Sequence, residues 1–275
     1  MSYTAWHFTV HPPQPGSEIL MACIGELGFD TFQTTDAGFT AWIDAALSDQ
    51  VQLEEFTFED FTYSVKKETV ETINWNEEWE KNFQPVQVGD AILIRAHFHA
   101  PIAGVKHDII ITPKMSFGTG HHQTTRLVCA EILKLDLKNQ RVLDMGCGTG
   151  VLAILAAQCG ASEVVGIDID EWSVENAREN CQRNHASEIE LHMGDAALLT
   201  AQAPFDIIFA NINKNILKRD MSAYAAVLKP GGTLLFSGFF TTDVEELIAV
   251  GAQNNLSFQV QHNEAEWAMV RMQKR

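Results

Sequence analysis

The stretch Val142-Leu143-Asp144-Met145-Gly146-Cys147-Gly148-Thr149-Gly150 decides the fold. Apolar residues run into three glycines spaced one residue apart, and Val151 to Gln158 continues with helical composition. A buried strand, a sharp glycine turn and an immediate helix form the ligand-binding start of an open α/β sheet, where glycines let ligand atoms approach the main chain. The dinucleotide fingerprint G-x-G-x-x-G would need a third glycine at the position held by Val151. The pattern here is G-x-G-x-G with Asp144 ahead of it. A carboxylate before the turn is unwelcome beside pyrophosphate and suits the ammonium of a methionine moiety, so the loop points to S-adenosylmethionine rather than NAD. A plain tight turn is the alternative.

Outward from this loop, strand and helix patterns alternate. Short apolar strands are predicted at 141–145, 164–169, 189–193, 207–211 and 233–237, with helices near 150–158, 172–184 and 215–228. Alternation of this kind calls for a mostly parallel sheet with helices on both faces. Leu256 to Gln261 and Trp267 to Met272, joined across Asn263-Glu264, read as a closing antiparallel hairpin. The strand count and hairpin predict an α/β fold with a seven-stranded Rossmann-like methyltransferase sheet.

Candidate site residues follow from the carboxyl ends of these strands, where such sheets bind ligands. Gly146 and Gly148 shape the turn. Asp168, in Gly166-Ile167-Asp168-Ile169-Asp170, ends the next strand 24 residues after Asp144, near the spacing of about 20 for a ribose-binding acid. Asp170 is the better helix cap. Gly194-Asp195 offers a contact for the adenine amino group, or simply a turn acid. Asn211 ends the fourth strand, in Phe209-Ala210-Asn211-Ile212-Asn213, and is the candidate catalytic residue: its carbonyl can accept from an amine N–H and aim the lone pair at the methyl carbon. Phe117-Gly118-Thr119-Gly120-His121-His122-Gln123-Thr124-Thr125 reads as a mobile glycine loop before a helix, placed to close over the cofactor. Adjacent histidines project differently and no carboxylate cluster accompanies them, so no metal is predicted.

The chain has 275 residues, 36 acids and 19 bases, a net charge of −17, the wrong sign for gripping a phosphate backbone. Residues 1–65 hold no Lys or Arg and carry ten acids. That is either a solubilising surface or a docking face for a basic partner. The same segment reads as strand-helix-strand-strand-helix-strand, a small α+β ferredoxin-like domain. Its predicted parts are a strand at 3–10, a helix capped by Ser17, a hairpin across Asp36-Ala37-Gly38, an acidic helix near 50–59 and a strand at 61–65. Trp75, Trp79 and Phe83 share one face of a predicted linker helix. Domains are therefore expected at 1–73 and 85–275, with the linker helix at 74–84. Five cysteines without a Cys-x-x-Cys pair argue against disulfides and zinc, and neither a signal peptide nor a spanning run is visible. A cytoplasmic monomer is expected, with no membrane and no direct nucleic-acid partner.

With these residues in hand, the chain resembles the PrmA family, the methyltransferases of ribosomal large-subunit protein eleven. The match rests on Phe117 to Thr125, Asp144 to Gly150, Gly166 to Asp170 and Ala210-Asn211-Ile212, together with Glu77-Glu78-Trp79 and the acidic N-terminal domain. The resemblance implies S-adenosylmethionine contacts at Thr125, Gly146, Asp168 and Asn211. It also implies methylation of amino groups, lysine side chains and the N-terminal amine, on a basic ribosomal protein recognised by the small domain. One departure is local: the family usually reads Asp-Pro-Gly where this chain has Thr112-Pro113-Lys114. Two other functions remain open. A nucleic-acid amino-group methyltransferase would carry Pro and an aromatic after Asn211, where this chain has Ile212-Asn213. A non-catalytic cofactor-binding ribosome-assembly module would not need Asn211.

Overall fold

A computed structural model describes residues 3–53, 56–70, 83–114 and 116–275. The chain divides into two compact units, Met1–Asn82 and Phe83–Arg275.

The first unit is built on four antiparallel strands, β1 (Tyr3–His11), β2 (Phe29–Thr35), β3 (Gly38–Asp44) and β4 (Thr62–Val70), in the order β2-β3-β1-β4. With helices at Pro13–Ile24 and Ala45–Ser48 this is the ferredoxin-like arrangement. Alternate residues of β1 (Trp6, Phe8, Val10) meet Phe39, Ala41 and Ile43 of β3 and Leu20 and Ile24 of the helix in one core. Two local expectations fail. Ser17 caps nothing: the chain is extended at Gln14, Pro15 opens the helix proper, and Ser17 is buried inside it, because proline's fixed φ already suits the first helical turn. The second helix is a single turn at Ala45–Ser48, capped by Asp44, and among the described residues 50–59 hold no helix. Val51, Leu53 and Phe58 of this stretch pack against the core from an irregular chain instead. Of the predicted linker helix at 74–84, residues 74–82 lie outside the described residues, and 83–84 hold no helix.

The second unit opens with a three-stranded sheet, β5 (Val86–Val88), β6 (Ile92–Arg95) and β7 (His107–Ile110). The seven-stranded sheet follows: β8 (Arg141–Met145), β9 (Glu163–Asp168), β10 (Glu190–Met193), β11 (Phe205–Asn211), β12 (Leu228–Phe240), β13 (Leu256–Glu264) and β14 (Trp267–Lys274). Its order is β10-β9-β8-β11-β12-β14-β13, parallel except for β14 against both of its neighbours. The closing hairpin runs longer than its apolar core and turns at Ala265-Glu266, two residues beyond the expected Asn263-Glu264.

Period-2 alternation sends neighbouring strand residues to opposite faces. Val142, Phe209, Leu235 and Met269 face one core with the helices Gln123–Ile132 and Val151–Gln158. Leu143, Ile208, Leu234 and Val270 face the other, with helices Lys214–Val227 and Val244–Gln253. The Val151–Gln158 helix is buried along Val151–Ala156, which explains its continuous apolar sequence. Strand order reverses between β8 and β11, so the crevice at their carboxyl ends is the place such a sheet leaves open for a ligand. Among the described residues no helix is long and apolar enough to cross a membrane.

Candidate active site

A cavity of about 490 Å³ lies at that crevice. Gly146 and Gly148 form its floor, both at positive φ (73° and 53°). Space decides Gly148 as much as backbone angle does: a Cβ there would sit 2.2 Å from the Phe117 carbonyl oxygen. The Phe117 carbonyl accepts the Thr149 N–H (2.9 Å), and the Thr149 hydroxyl donates to the Gly118 carbonyl (2.7 Å). The loop before the Gln123–Ile132 helix thus lies directly on the glycine turn.

The β9 side presents Asp168, whose carboxylate is held from both ends. Oδ2 accepts the Gly148 N–H (2.8 Å) and Oδ1 accepts the Asp170 N–H (3.0 Å), leaving lone pairs directed at the cavity it lines. Asp170 caps the Glu171–Arg183 helix through the Trp172 N–H. Asp195 also lines the cavity and caps the following turn through the Ala197 N–H.

On the β11 side stands Asn211. Its Nδ2 points to the Thr125 hydroxyl at 3.5 Å, and its Oδ1 is buried with no protein partner. Thr125 is fully buried behind it and does not line the cavity. Asp144 is also fully buried and off the cavity surface. One carboxylate oxygen accepts the Ala153 N–H (3.1 Å) at the helix start, and the other has no partner. Burial pushes its pKa up to about 7, against the Ala153 hydrogen bond and with help from the Asp168 charge.

That shift has a measurable cost. The folded state holds the Asp144 proton to about pH 7, whereas an unfolded aspartate releases it near pH ~3.9. Stability therefore falls as pH rises between those values and levels off above the higher one. Asp144→Asn keeps an acceptor for Ala153 and removes the charge. It is expected to exceed the wild type in stability by up to ~4 kcal/mol at pH 8, with the gap narrowing toward pH 4. Denaturant unfolding at both pH values checks this, and a gap independent of pH would refute it.

Of the residues the sequence reading assigned to the cofactor, Gly146, Gly148, Asp168 and Asn211 lie around one cavity, whereas Thr125 and Asp144, expected as contacts too, are buried off its surface. The same reading placed the Phe117–Thr125 loop over the site and missed the hairpin's part of the third wall. Phe117, His122 and Trp267 line the cavity together, with ring centroids 5.3 Å apart for Phe117–His122 and 4.6 Å for His122–Trp267. Phe240 packs on Trp267 from behind at 4.4 Å. Trp267 arrives from 145 residues along the chain in the final hairpin, and no local motif announces it. Gly238 had a signal, a lone glycine within a strand pattern. It sits at φ 99° at a bulge in β12, where a Cβ would meet the Ile212 carbonyl oxygen at 2.3 Å. Helix Lys214–Val227 adds Arg219 and Asp220, paired with each other at 2.7 and 2.8 Å.

Thr112-Pro113-Lys114 leads toward this site along the Glu171–Arg183 helix. Asn180 accepts the Thr112 N–H and donates to the Thr149 carbonyl, while Lys114 pairs with Glu179 at 2.8 Å. A basic residue is thereby tied down where the family usually has glycine.

The residues present fit S-adenosylmethionine. Asp168 is held at the cavity by two backbone N–H groups, the glycine floor admits close approach, and the cavity lining holds four carboxylates (Asp168, Asp170, Asp195, Asp220) against the single guanidinium of Arg219. That balance suits a cationic sulfonium.

Comparison with known proteins agrees. The family model for "Ribosomal protein L11 methyltransferase (PrmA)" matches residues 28–275. The ribosomal protein L11 methyltransferase of Bacteroides thetaiotaomicron is 42% identical, over 98% of this chain and 99% of its own. That of Porphyromonas gingivalis is 42% identical over 98% and 97%. The crystal structure of ribosomal protein L11 methylase from Lactobacillus delbrueckii subsp. bulgaricus superposes with a TM-score of 0.65 at 26% identity, over 70% of this chain and all of that one. Glycine turn, oriented acid, strand-end asparagine and whole-chain similarity agree: this protein belongs to the ribosomal protein L11 methyltransferase (PrmA) family.

Proposed function

We propose that the chain is a protein methyltransferase that moves methyl groups from S-adenosylmethionine to amino groups of ribosomal protein L11, on lysine side chains and the N-terminal amine. The observation that carries this reading is Asn211, which lines the cavity and whose carbonyl oxygen is buried without a protein partner. Burying such an acceptor unpaired costs about 1–3 kcal/mol, so the site favours a ligand that donates to it. An amine N–H does.

In this reading Asp168, Gly146 and Gly148 hold the donor, and Asp144, buried beneath the turn, braces it through the Ala153 N–H. The bound donor supplies an electrophilic methyl on sulfonium. Thr125 fixes the Asn211 amide, Asn211 accepts one amine N–H, and the nitrogen lone pair is left facing the methyl. Displacement of this kind is accelerated by positioning rather than by acid catalysis. The amine must first lose a proton, from an ordinary lysine pKa of about 10.4. His122 is poorly placed to take it. Its Nδ1 accepts the Thr124 N–H (3.3 Å) and lies 2.8 Å from the Thr124 hydroxyl, which puts the proton of the neutral ring on Nε2. The remaining amine proton therefore passes to solvent.

The ten acids of residues 1–65 give the small unit a field that attracts a basic ribosomal protein, so substrate recognition falls to that unit. The enzyme acts in the cytoplasm as a monomer. Purified protein is expected to transfer labelled methyl from S-adenosylmethionine to L11 in an unmethylated extract, with mass spectrometry placing the label on amines. Labelled rRNA with unlabelled protein would overturn the reading.

A further inference from the structure

We infer that Arg126 and Glu264 are positioning residues: they clasp the loop before the Gln123–Ile132 helix to the tip of the final hairpin and thereby set the aromatic wall on which the acceptor amine docks. The inference rests on the functional reading above for what the wall binds, and on geometry for what holds the wall.

Arg126 lies one turn into its helix, and each of its three guanidinium nitrogens donates. Nε donates to both carboxylate oxygens of Glu264 (3.0 and 3.3 Å), Nη2 donates to Oε1, and Nη1 donates to the His121 carbonyl. One guanidinium therefore holds two segments that are 138 residues apart in sequence. Each segment carries one ring of the wall. His121 directly precedes His122, and Glu264 is the hairpin partner of Trp267 in the last pair before the turn. His122 and Trp267 meet edge to face at 4.6 Å, and both line the cavity.

Stability does not explain the clasp. Both side chains are partly exposed, Arg126 at 26% and Glu264 at 40%, and pairs of that kind contribute little, about 0–1 kcal/mol. What a bidentate pair supplies is direction. The same helix and hairpin are tied a second time, by Glu131 to Arg271 (2.9 Å) and His262 (3.3 Å), but farther along both elements than His122 and Trp267. The hairpin turn hangs on the Thr241 N–H to Glu266 carbonyl bond (2.8 Å), and the loop on the His121 contacts with Thr119 and the Gln84 carbonyl. A wall of π faces beside the reacting amine attracts a cationic side chain and excludes water, but only when both rings are held in place.

The test is Arg126→Ala and Arg126→Lys in the full chain, with Glu264→Gln as the reciprocal change. For Arg126→Ala the KM for L11 is expected to rise about tenfold, with kcat within about threefold of wild type and donor Kd unchanged. Arg126→Lys should not rescue, because an ammonium cannot bridge both Glu264 oxygens and His121 in one plane. A direct readout comes from the His122 ring, which faces Arg126, Glu264, Thr124, Phe117 and Trp267. Burial first and Arg126 second lower its pKa, while Glu264 raises it. By NMR its titration should move up in Arg126→Ala and down in Glu264→Gln, with the Trp267 indole signal broadened in both. An unchanged acceptor KM, a donor Kd that weakens in step with it, or full rescue by lysine would overturn the clasp. If the wild-type protein transfers nothing to L11, the functional reading fails instead. The clasp is then judged by the ring signals, and an unperturbed Trp267 indole in both variants would refute it.

Discussion

Asn211→Ala is expected to lower the rate of methyl transfer by roughly 10²–10³, the loss typical when one preorganised polar group at a reacting centre is removed. The donor Kd should stay within about threefold. The asymmetry follows from where the side chain sits. Its Nδ2 is directed inward at Thr125, and its Oδ1 is buried without a protein partner. An acceptor amine loses the group that aims its lone pair, whereas the donor keeps Asp168, Gly146 and Gly148. Asn211→Asp is the informative companion. It retains an acceptor oxygen but loses the donor that Thr125 fixes, so it should recover part of the rate at most. Single-turnover transfer with calorimetric donor titration measures both quantities. Equal losses in rate and donor affinity would assign Asn211 to the donor rather than the acceptor.

Asp168→Ala is expected to act on the other substrate, raising the donor Kd by about 10². Hydrogen bonds to a charged acceptor contribute about 1.5–3 kcal/mol each, and two of them to ribose hydroxyls reach that factor at the lower bound. The removal also leaves the Gly148 N–H without its carboxylate, which loosens the turn itself. Asp168→Asn separates the two effects: it can still accept from Gly148 through its carbonyl but has lost one ribose acceptor, so its Kd should fall between wild type and alanine. A donor Kd unchanged in the alanine variant would show that Asp168 serves only to brace the loop.

How legible this was in the sequence depends on the range of the interaction. The inner parallel strands β8, β9 and β11 were readable because each is short, apolar on both faces and followed by its own helix, so local pattern and global burial agree. Asp144, Asp168 and Asn211 were readable because the sheet's carboxyl edge collects strand ends, whatever the details between them. Their orientation was not readable. Nothing in the spacing shows that Asp144 is sealed beneath the turn while Asp168 faces the cavity; that follows from the Val151–Gln158 helix covering one and the crevice baring the other. Trp267, Phe240 and Arg126 were invisible as site residues because their partners lie in segments brought together only by the closing hairpin. The misplaced second helix of the small unit has the opposite cause: charge composition was read as a helix, whereas Val51, Leu53 and Phe58 pack against the core from an irregular chain.

The contact between Gly148 and Phe117 has a consequence for how such enzymes diverge. The turn at 146–150 and the loop at 117–118 share hydrogen bonds and leave no room for a side chain between them, so they cannot be inherited separately. A chimaera that takes residues 144–151 from a distant relative while keeping the native 116–122 should misassemble the donor site. Exchange of both segments together should restore it. The two motifs, a few dozen residues apart on the gene, form one unit of exchange in the folded protein.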